Sequence, residues 1–364
     1  MKYNLETLLS AKKFVPHFER RKGADPLSLG PVSVEFHWTS ACNYDCVHCS
    51  YGNRRKKYLR VSDEQIESTI DDLLSLGVKS AYLAGGGEPT MVKNWDKYAG
   101  KLLDNGVEVA LVTNGIAIKD ADVPLLRRFN YIAVSIYSTN EEHYKAITGS
   151  DQFKKQFQLP NMVKGNGSNV VVGARCVINR VNHREVADVY KNAMASGFDY
   201  VIFIPAIDYE KKGLEFSEAE AAQIRADLEG NIDIFDPKTT NVRSILNRGL
   251  HHYAAKDYRI GIEPPPDSCA SIMTRATAWI NYDGGVYLCQ PHIGNERYCI
   301  GNLNNARFKD VWNSPRHREV ILALNGNYAA GVCANCRCIE YNRQAGMYLS
   351  GQVQLGDCPD DALI

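Results

Sequence analysis

The chain has 364 residues, of which 45% are hydrophobic and 23% charged, as in an ordinary globular protein. Its 42 Lys and Arg residues balance its 42 Asp and Glu residues, so the net charge does not favour a nucleic acid as partner. The N-terminal segment lacks the apolar core of a signal peptide, and no run reaches the roughly 18 apolar residues that span a membrane. The sequence therefore predicts a cytoplasmic protein that does not bind membranes.

Eleven cysteines are present, and several are closely spaced. The cytoplasm keeps thiols reduced, which argues against a disulfide framework. Clustered cysteines in such a protein indicate metal binding.

Short apolar segments alternate with amphipathic helices in the first half of the chain. Six segments are predicted strands: Val32–Trp38, Ser80–Ala84, Val107–Thr113, Tyr131–Ile136, Val170–Ile178 and Tyr200–Pro205. After the first, Ser62 and Gln65 form a predicted capping box, and Gly77 ends the helix that they begin. The alternation predicts an α/β fold with a parallel sheet. Six strands are too few for a closed eight-stranded barrel, so we expect a partial (β/α)6 TIM-like barrel with its active centre at the carboxyl ends of the strands.

The chain divides into four predicted parts. Residues 1–31 are an N-terminal extension, 32–205 the barrel, 206–265 a helical connection, and 266–364 a small cysteine-rich domain. A run of three prolines, 264–266, marks the last boundary. Beyond it, Thr277–Leu288 reads as a hairpin whose turn is Asp283–Gly285.

The stretch CNYDCVHC places Cys42, Cys46 and Cys49 just after the first strand. A structural zinc ion takes four protein ligands, and a [4Fe–4S] cluster usually takes four cysteines. Three cysteines would leave one iron free for another ligand. A zinc site and a set of buried thiols remain alternatives.

The CxxxCxxC spacing resembles the signature of radical S-adenosylmethionine (radical SAM) enzymes. The resemblance implies that the open iron binds the methionine part of S-adenosylmethionine, whose cleavage yields a 5′-deoxyadenosyl radical. It also implies that His48 lies near the adenine. An external electron donor, such as flavodoxin or ferredoxin, is the implied partner.

Further segments match the same family in order along the chain. Gly85–Pro89 resembles its GGEP motif, and Thr113-Asn114-Gly115 its TNG motif. The implied cofactor-binding residues, each at or near a strand end, are Gly86, Gly87, Glu88, Pro89, Thr113, Asn114, Ser135, Arg175 and Ile204. For Ser135 and Arg175, a strand-end cap and a surface salt bridge are equally good explanations.

The C-terminal part resembles the SPASM/Twitch domains of radical SAM enzymes. Cys269, Cys289, Cys333 and Cys336 are the implied ligands of an auxiliary [4Fe–4S] cluster. Cys338, Cys358 and Cys299 could serve a second auxiliary cluster. A zinc knuckle at Cys333 and Cys336 is the alternative, but it would leave Cys269 and Cys289 without a function.

The remaining cysteines suggest a hydrogen-atom donor, which a redox-neutral epimerase would need. Cys338 and Cys299 are candidates, whereas Cys176 would point away from the barrel if Arg175 faces it. Glu263, Asp267 and Asp283 lie near auxiliary cysteines in sequence, but none can be assigned as a base.

The auxiliary cluster favours oxidation of a substrate carbon, with the cluster as electron acceptor. Only 31 residues precede the first strand, which favours a small metabolite, such as a sugar, an aminocyclitol or an amino-acid derivative, over a peptide. The alternatives are a peptide maturase that makes a cross-link or an epimerised residue, a redox-neutral epimerase and, outside enzymes, an iron–sulfur electron carrier.

Overall fold

The computed structural model describes residue 17 and residues 29–52, 58–165, 167–206, 208, 212–248 and 269–329. The strands in these residues are β1 (Ser33–Phe36), β2 (Ser80–Leu83), β3 (Glu108–Thr113), β4 (Tyr131–Ser135), β5 (Val171–Ile178), β6 (Tyr200–Pro205), β7 (Thr277–Ile280), β8 (Gly285–Tyr287) and β9 (Cys299–Asn302). They form one nine-stranded sheet in the order β6-β5-β4-β3-β2-β1-β7-β8-β9. Since β1 to β6 are parallel neighbours in chain order, the predicted partial (β/α)6 barrel is confirmed.

The described helices follow the predicted alternation. They are α1 (Asp63–Ser75), α2 (Trp95–Asp104), α3 (Val123–Leu126), α4 (Glu141–Thr148), α5 (Leu159–Val163), α6 (Val186–Ala195), α7 (Glu218–Gly230), α8 (Val242–Arg248), α9 (Ala270–Thr274), α10 (Phe308–Trp312) and α11 (Pro315–Ala329). The predicted capping box of Ser62 and Gln65 starts α1, and Ile66, Ile70 and Leu73 are its buried stripe. Within the described residues, no helix combines the length and the apolar character that a membrane crossing requires.

The two faces of the parallel sheet differ in composition. Val34, Phe36 and Leu83 belong to the large core that the helices cover. The opposite, inner face carries a separate layer in which Tyr131 and Tyr200 stack with ring centroids 6.1 Å apart. Aromatic and small aliphatic side chains therefore line much of the interior of the barrel.

The C-terminal hairpin continues the barrel sheet. Strand β7 pairs in parallel with β1 through four residue pairs, from Ser33 with Thr277 to Phe36 with Ile280. The turn of the predicted hairpin is confirmed, because β7 pairs antiparallel with β8. The cysteine-rich part of the chain is thus joined to the barrel at β1, while the four-part division of the chain stays a prediction.

The segment 239–241 covers the other edge of the sheet. Val201 of β6 pairs with Thr240, and the Val201 amide donates to the Thr239 carbonyl at 2.8 Å. At β6, the Phe203 amide donates to Asn241 Oδ1 (2.8 Å), and Asn241 Nδ2 donates to the Phe203 carbonyl (2.9 Å). The Asn241 side-chain amide thus extends this pairing to Phe203, whose backbone groups would otherwise be unpaired at the edge.

We expect Asn241→Ala to lower the free energy of unfolding by about 1–2 kcal/mol, because two backbone groups of Phe203 lose their partners. Urea denaturation followed by circular dichroism measures this change. In the control Asn192→Ala, the lost hydrogen bond runs only to the Asp188 carbonyl on an exposed helix surface, and the expected change is within about 0.5 kcal/mol. Equal losses in the two variants would contradict the edge role.

Candidate active site at the open end of the barrel

The cysteine loop (residues 39–50) follows β1 and docks on helix α4. The amides of Asp45 and Val47 donate to the carbonyls of Thr148 and Ile147, at 2.8 and 2.9 Å. Cys42, Cys46 and Cys49 are all partly exposed and free of disulfides. The three thiols are therefore held on a fixed segment and remain accessible.

The glycines after β2 lie directly against the cysteine loop. The amide of Gly87 donates to the Thr39 carbonyl and that of Glu88 to the Ala41 carbonyl, each at 2.7 Å. A Cβ atom on Gly87 would lie 1.9 Å from the Ala41 oxygen, and one on Gly86 would lie 2.5 Å from the Tyr282 ring. These positions tolerate no side chain, since such distances are far inside van der Waals contact. The expected contact of Gly86 and Gly87 with the cofactor stays a prediction.

The carboxylate of Glu88 is buried and accepts four hydrogen bonds. Its donors are the Thr90 hydroxyl (2.6 Å) and amide (3.2 Å), the Thr113 hydroxyl (2.7 Å) and the Asn114 amide (2.8 Å). Burial raises the pKa of the Glu88 carboxyl above its usual value, although these donors lower it in part. Glu88 therefore joins the ends of β2 and β3, and Pro89 begins the short turn that supplies Thr90.

The Asn114 side chain reaches the cysteine loop from β3. Its Nδ2 atom donates to Asn43 Oδ1 at 2.6 Å and lies 3.9 Å from the Cys42 sulfur. Thr113, Asn114, Glu88 and the glycine segment are thus brought together beside Cys42.

His48 faces a residue that sequence reasoning did not identify. Its ring lies 4.8 Å from the ring of Tyr137, whose hydroxyl oxygen is 4.0 Å from the Cys46 sulfur. Burial lowers the pKa of His48 to about 4, so its ring is neutral at pH 7. Tyr137 stands two residues after Ser135, and this spacing places the two side chains on the same side of an extended chain.

Ser135 and Arg175 are cross-strand partners at the carboxyl-terminal part of β4 and β5. The Arg175 guanidinium lies over the rings of Tyr82 and Tyr131, with its carbon 5.7 and 6.0 Å from their centroids. Arg175 therefore faces the interior of the barrel. Cys176 belongs to the core on the opposite face, as the alternation of a strand requires.

The other predicted site residues belong to other elements. Ile204, on β6, pairs with Val177. Cys269 is buried at the start of α9, Cys289 follows β8, and the Cys299 thiol donates to the Gly301 carbonyl at 3.0 Å. Asp283 accepts the Gly285 amide in the hairpin turn at 3.0 Å. Cys333, Cys336, Cys338, Cys358, Glu263 and Asp267 are outside the described residues.

Glu35, a carboxylate on β1, is a second residue of the site that sequence reasoning did not identify. Glu35 accepts His37 Nε2 at 2.7 Å and Trp279 Nε1 at 3.2 Å, and the other ring nitrogen of His37 lies 3.5 Å from Asn281 Oδ1. The signal was the alternation of Ser33, Glu35 and His37 with apolar residues, which places these polar side chains on the inner face.

The donor set of the cysteine loop fits an iron–sulfur cluster. Three accessible thiols provide the preferred ligands of such a cluster. The Tyr44 amide and Asn114 Nδ2 donate toward the Cys42 sulfur, and a glycine segment without room for side chains lies beside the loop. In the part of the chain that the structure describes, no three His, Cys, Asp or Glu side chains converge on a single-ion site.

Family models match both parts of the chain. The radical SAM superfamily matches residues 37–193, and an iron–sulfur cluster-binding domain, SPASM, matches residues 269–337. The chain is a radical SAM enzyme with a C-terminal SPASM domain. Its cofactors are a [4Fe–4S] cluster with S-adenosylmethionine and, in the SPASM domain, at least one auxiliary cluster.

Curated relatives align with most of the radical SAM and SPASM regions. Mycofactocin maturase from Mycolicibacterium smegmatis is 24% identical over 328 residues, which cover 89% of this chain and 78% of the relative. Fe-coproporphyrin III synthase from Methanosarcina barkeri is 28% identical over an alignment that covers 85% of this chain and 81% of the relative.

Two solved structures share the fold. Streptococcus suis SuiB bound to its precursor peptide SuiA has a TM-score of 0.62 at 14% identity, covering 95% of this chain and 78% of SuiB. The structure of anSMEcpe with bound S-adenosylmethionine and a peptide has a TM-score of 0.59 at 19% identity, covering 86% and 88%. At these identities the likeness establishes the fold alone.

We expect Gly87→Ala to lower the rate of S-adenosylmethionine cleavage on the order of 100-fold, because the added methyl group must displace Ala41 and with it the cysteine loop. Anaerobic reconstitution followed by chromatography of 5′-deoxyadenosine measures the rate. Gly230→Ala is the matched control, since nothing lies within 4 Å of its added atom. An unchanged rate in Gly87→Ala would show that the contact can relax.

We expect Glu88→Gln to lower the free energy of unfolding by about 2–3 kcal/mol, because an amide nitrogen replaces an acceptor among four donors. Urea denaturation of the cofactor-free protein measures this. In the control Glu67→Gln, an exposed ion pair with Lys97 is lost, and a change below about 1 kcal/mol is expected. A comparable decrease in the free energy of unfolding of Glu67→Gln would contradict this structural role of Glu88.

Proposed function

We propose that the chain is a radical SAM maturase that oxidatively modifies a peptide. The alignment with mycofactocin maturases carries this proposal, because it extends over 89% of the chain, from the radical SAM region into the SPASM region. A relative aligned over both regions is stronger support than the composition of the chain, so the peptide is preferred to a small metabolite.

The arrangement of the two regions is consistent with oxidation. The four residue pairs between β1 and β7 fix the hairpin that leads to Cys289 beside the barrel. Tyr282, in the turn of that hairpin, contacts Gly86 of the predicted cofactor segment. A substrate in the barrel would thus lie between the radical SAM site and the auxiliary ligands, which suits an enzyme that passes an electron from one side to the other.

When bound, the cluster and S-adenosylmethionine supply a 5′-deoxyadenosyl radical that abstracts hydrogen from an unactivated C–H bond. The chain's own part is to bind, orient and exclude water. In this proposal Cys42, Cys46 and Cys49 hold the cluster. The backbone of Gly86 and Gly87, with Ser135 and Arg175 from the inner face, binds S-adenosylmethionine.

Arg175 suits a carboxylate ligand, because its surroundings are aromatic. The rings of Tyr82 and Tyr131 lie below its guanidinium, and the described residues include no ion pair to it. Tyr82 and Tyr131 also hydrogen-bond the guanidinium, but its Nε–H is buried without a partner among the described residues, and an anionic group of the cofactor can accept that hydrogen.

We propose Glu35 as the carboxylate that would face a bound substrate. His37 and Trp279 hold its two oxygens from one side, and the side chain remains partly exposed on the inner face. Glu35 is therefore a better candidate for accepting a substrate proton than Asp283, whose side chain is engaged in the hairpin turn.

The auxiliary cluster is assigned to Cys269 and Cys289, together with Cys333 and Cys336 beyond the described residues. Cys289 packs against the main core and Cys269 belongs to it, so both ligands are fixed relative to the barrel. A flavodoxin or ferredoxin remains the proposed electron donor.

Oxidation of a small metabolite is the second candidate. Fe-coproporphyrin III synthase, whose name describes a non-peptide product, is 28% identical over 85% of this chain. The same site would then accept a small molecule in place of a peptide.

We expect the anaerobically reconstituted protein to cleave S-adenosylmethionine reductively, and Cys42→Ala, Cys46→Ala or Cys49→Ala to lower the rate at least 100-fold by removing a cluster ligand. Chromatography of 5′-deoxyadenosine gives the rate, and mass spectrometry detects product on synthetic peptides encoded by short reading frames beside the gene. Cys176→Ala is the matched control, because this thiol lies on the other face of the sheet.

The outcomes separate the candidates. Peptide modification that depends on Cys42 supports the maturase, whereas cleavage without any peptide product favours the metabolite. Solvent deuterium in a product formed in deuterated water would indicate epimerisation and overturn oxidation. If the three cysteine variants still cleave S-adenosylmethionine, the proposed mechanism is wrong.

A further inference from the structure

Tyr137 is positioned next to a predicted cluster ligand by contacts from several elements. Its amide donates to Gln156 Oε1 at 3.1 Å, and its carbonyl accepts Asn182 Nδ2 at 2.7 Å. The side chain is only 7% exposed, and its ring lies 6.4 Å from that of Tyr44. The backbone on both sides of the ring is thus fixed, and the Cys46 thiol donates toward the Tyr137 hydroxyl oxygen, with sulfur and oxygen 4.0 Å apart. A metal-binding thiolate has no hydrogen to donate, so in that form the hydroxyl is the donor of the pair.

Much of the surface around Cys46 is aromatic or aliphatic. Tyr44, Tyr137, Tyr144 and Ile147 form a buried cluster against which Cys42 and Cys46 pack. The hydroxyls of Tyr44 and Tyr144 are 2.6 Å apart, so they satisfy each other. Among the tyrosine hydroxyls of this cluster, that of Tyr137 is the one recorded against a sulfur, and it also hydrogen-bonds the Ser135 side chain.

Hydrogen bonds to ligand sulfurs are one of the means by which a protein sets the reduction potential of an iron–sulfur cluster. The sulfurs become more negative when the cluster gains an electron, and a donor stabilises the more negative state. The effect is stronger where water is scarce, because the local dielectric is low. A phenol is a donor at neutral pH, since its usual pKa is about 10.

We propose that the Tyr137 hydroxyl donates a hydrogen bond to the Cys46 thiolate and raises the reduction potential of the cluster held by the cysteine loop. Tyr137 is then a positioning residue for electron entry rather than a catalytic residue. The inference concerns the radical SAM cluster alone, so it holds whether the substrate is a peptide or a metabolite.

Tyr137→Phe removes the donor and keeps the ring. In an anaerobic redox titration followed by electron paramagnetic resonance, we expect the midpoint potential of this cluster to shift to a more negative value. The signal of the auxiliary cluster is measured in the Cys42→Ala/Cys46→Ala/Cys49→Ala triple variant and subtracted. With a weak reductant, Tyr137→Phe should accumulate less reduced cluster than the unchanged protein does.

Tyr144→Phe is the matched control, because it removes a hydroxyl from the same buried cluster that bonds to Tyr44 and to no sulfur. We expect its midpoint potential to be unchanged. An unshifted potential in Tyr137→Phe, or an equal shift in Tyr144→Phe, would overturn the proposal.

A second measurement does not depend on the stability of Tyr137→Phe. Site-specific Tyr137→3-fluorotyrosine keeps the hydroxyl but makes it a more acidic donor, so the potential should move in the opposite direction, to a more positive value. In the unchanged protein, electron–nuclear double resonance should detect a proton near the reduced cluster that exchanges in deuterated water. A fluorinated variant without a positive shift would refute the hydrogen bond.

Discussion

The carboxylate of Glu88 joins the segments that form the open end of the barrel. It accepts hydrogen bonds from Thr90, Thr113 and Asn114, while the amide of the same residue donates to the Ala41 carbonyl. One residue thus connects the end of β2, the end of β3 and the segment that carries the cysteines. A buried charge is tolerable here because several donors replace the water that it loses.

The positions of the three thiols depend on elements outside their own loop. Helix α4 supplies two carbonyl acceptors, the glycine segment fits against Thr39 and Ala41, and Asn114 reaches Asn43. Each contact is short, and the glycines leave no space for an added methyl group. The loop is therefore preorganised by its neighbours, as a cluster site requires if its ligands are to stay fixed while the charge of the cluster changes.

Strand β1 connects the two regions of the chain, because it lies between β2 and β7 in the sheet. Its outer residues, Val34 and Phe36, belong to the main core, and its inner residues include Glu35. Pairing with β7 brings Trp279 to Glu35 and Tyr282 to Gly86. The radical SAM and SPASM regions therefore share a wall of the barrel.

The sequence by itself determined the order of the strands, the capping box of α1, the hairpin after the prolines and the family, because these are local patterns of periodicity, turn residues and cysteine spacing. It also determined that Cys176 points away if Arg175 points inward, since strand alternation leaves no choice. The pairing of β7 with β1, the bond network of Glu88, and the approach of Tyr137 to Cys46 join residues that are far apart along the chain. Such contacts leave no local signal, so only the tertiary structure decided them.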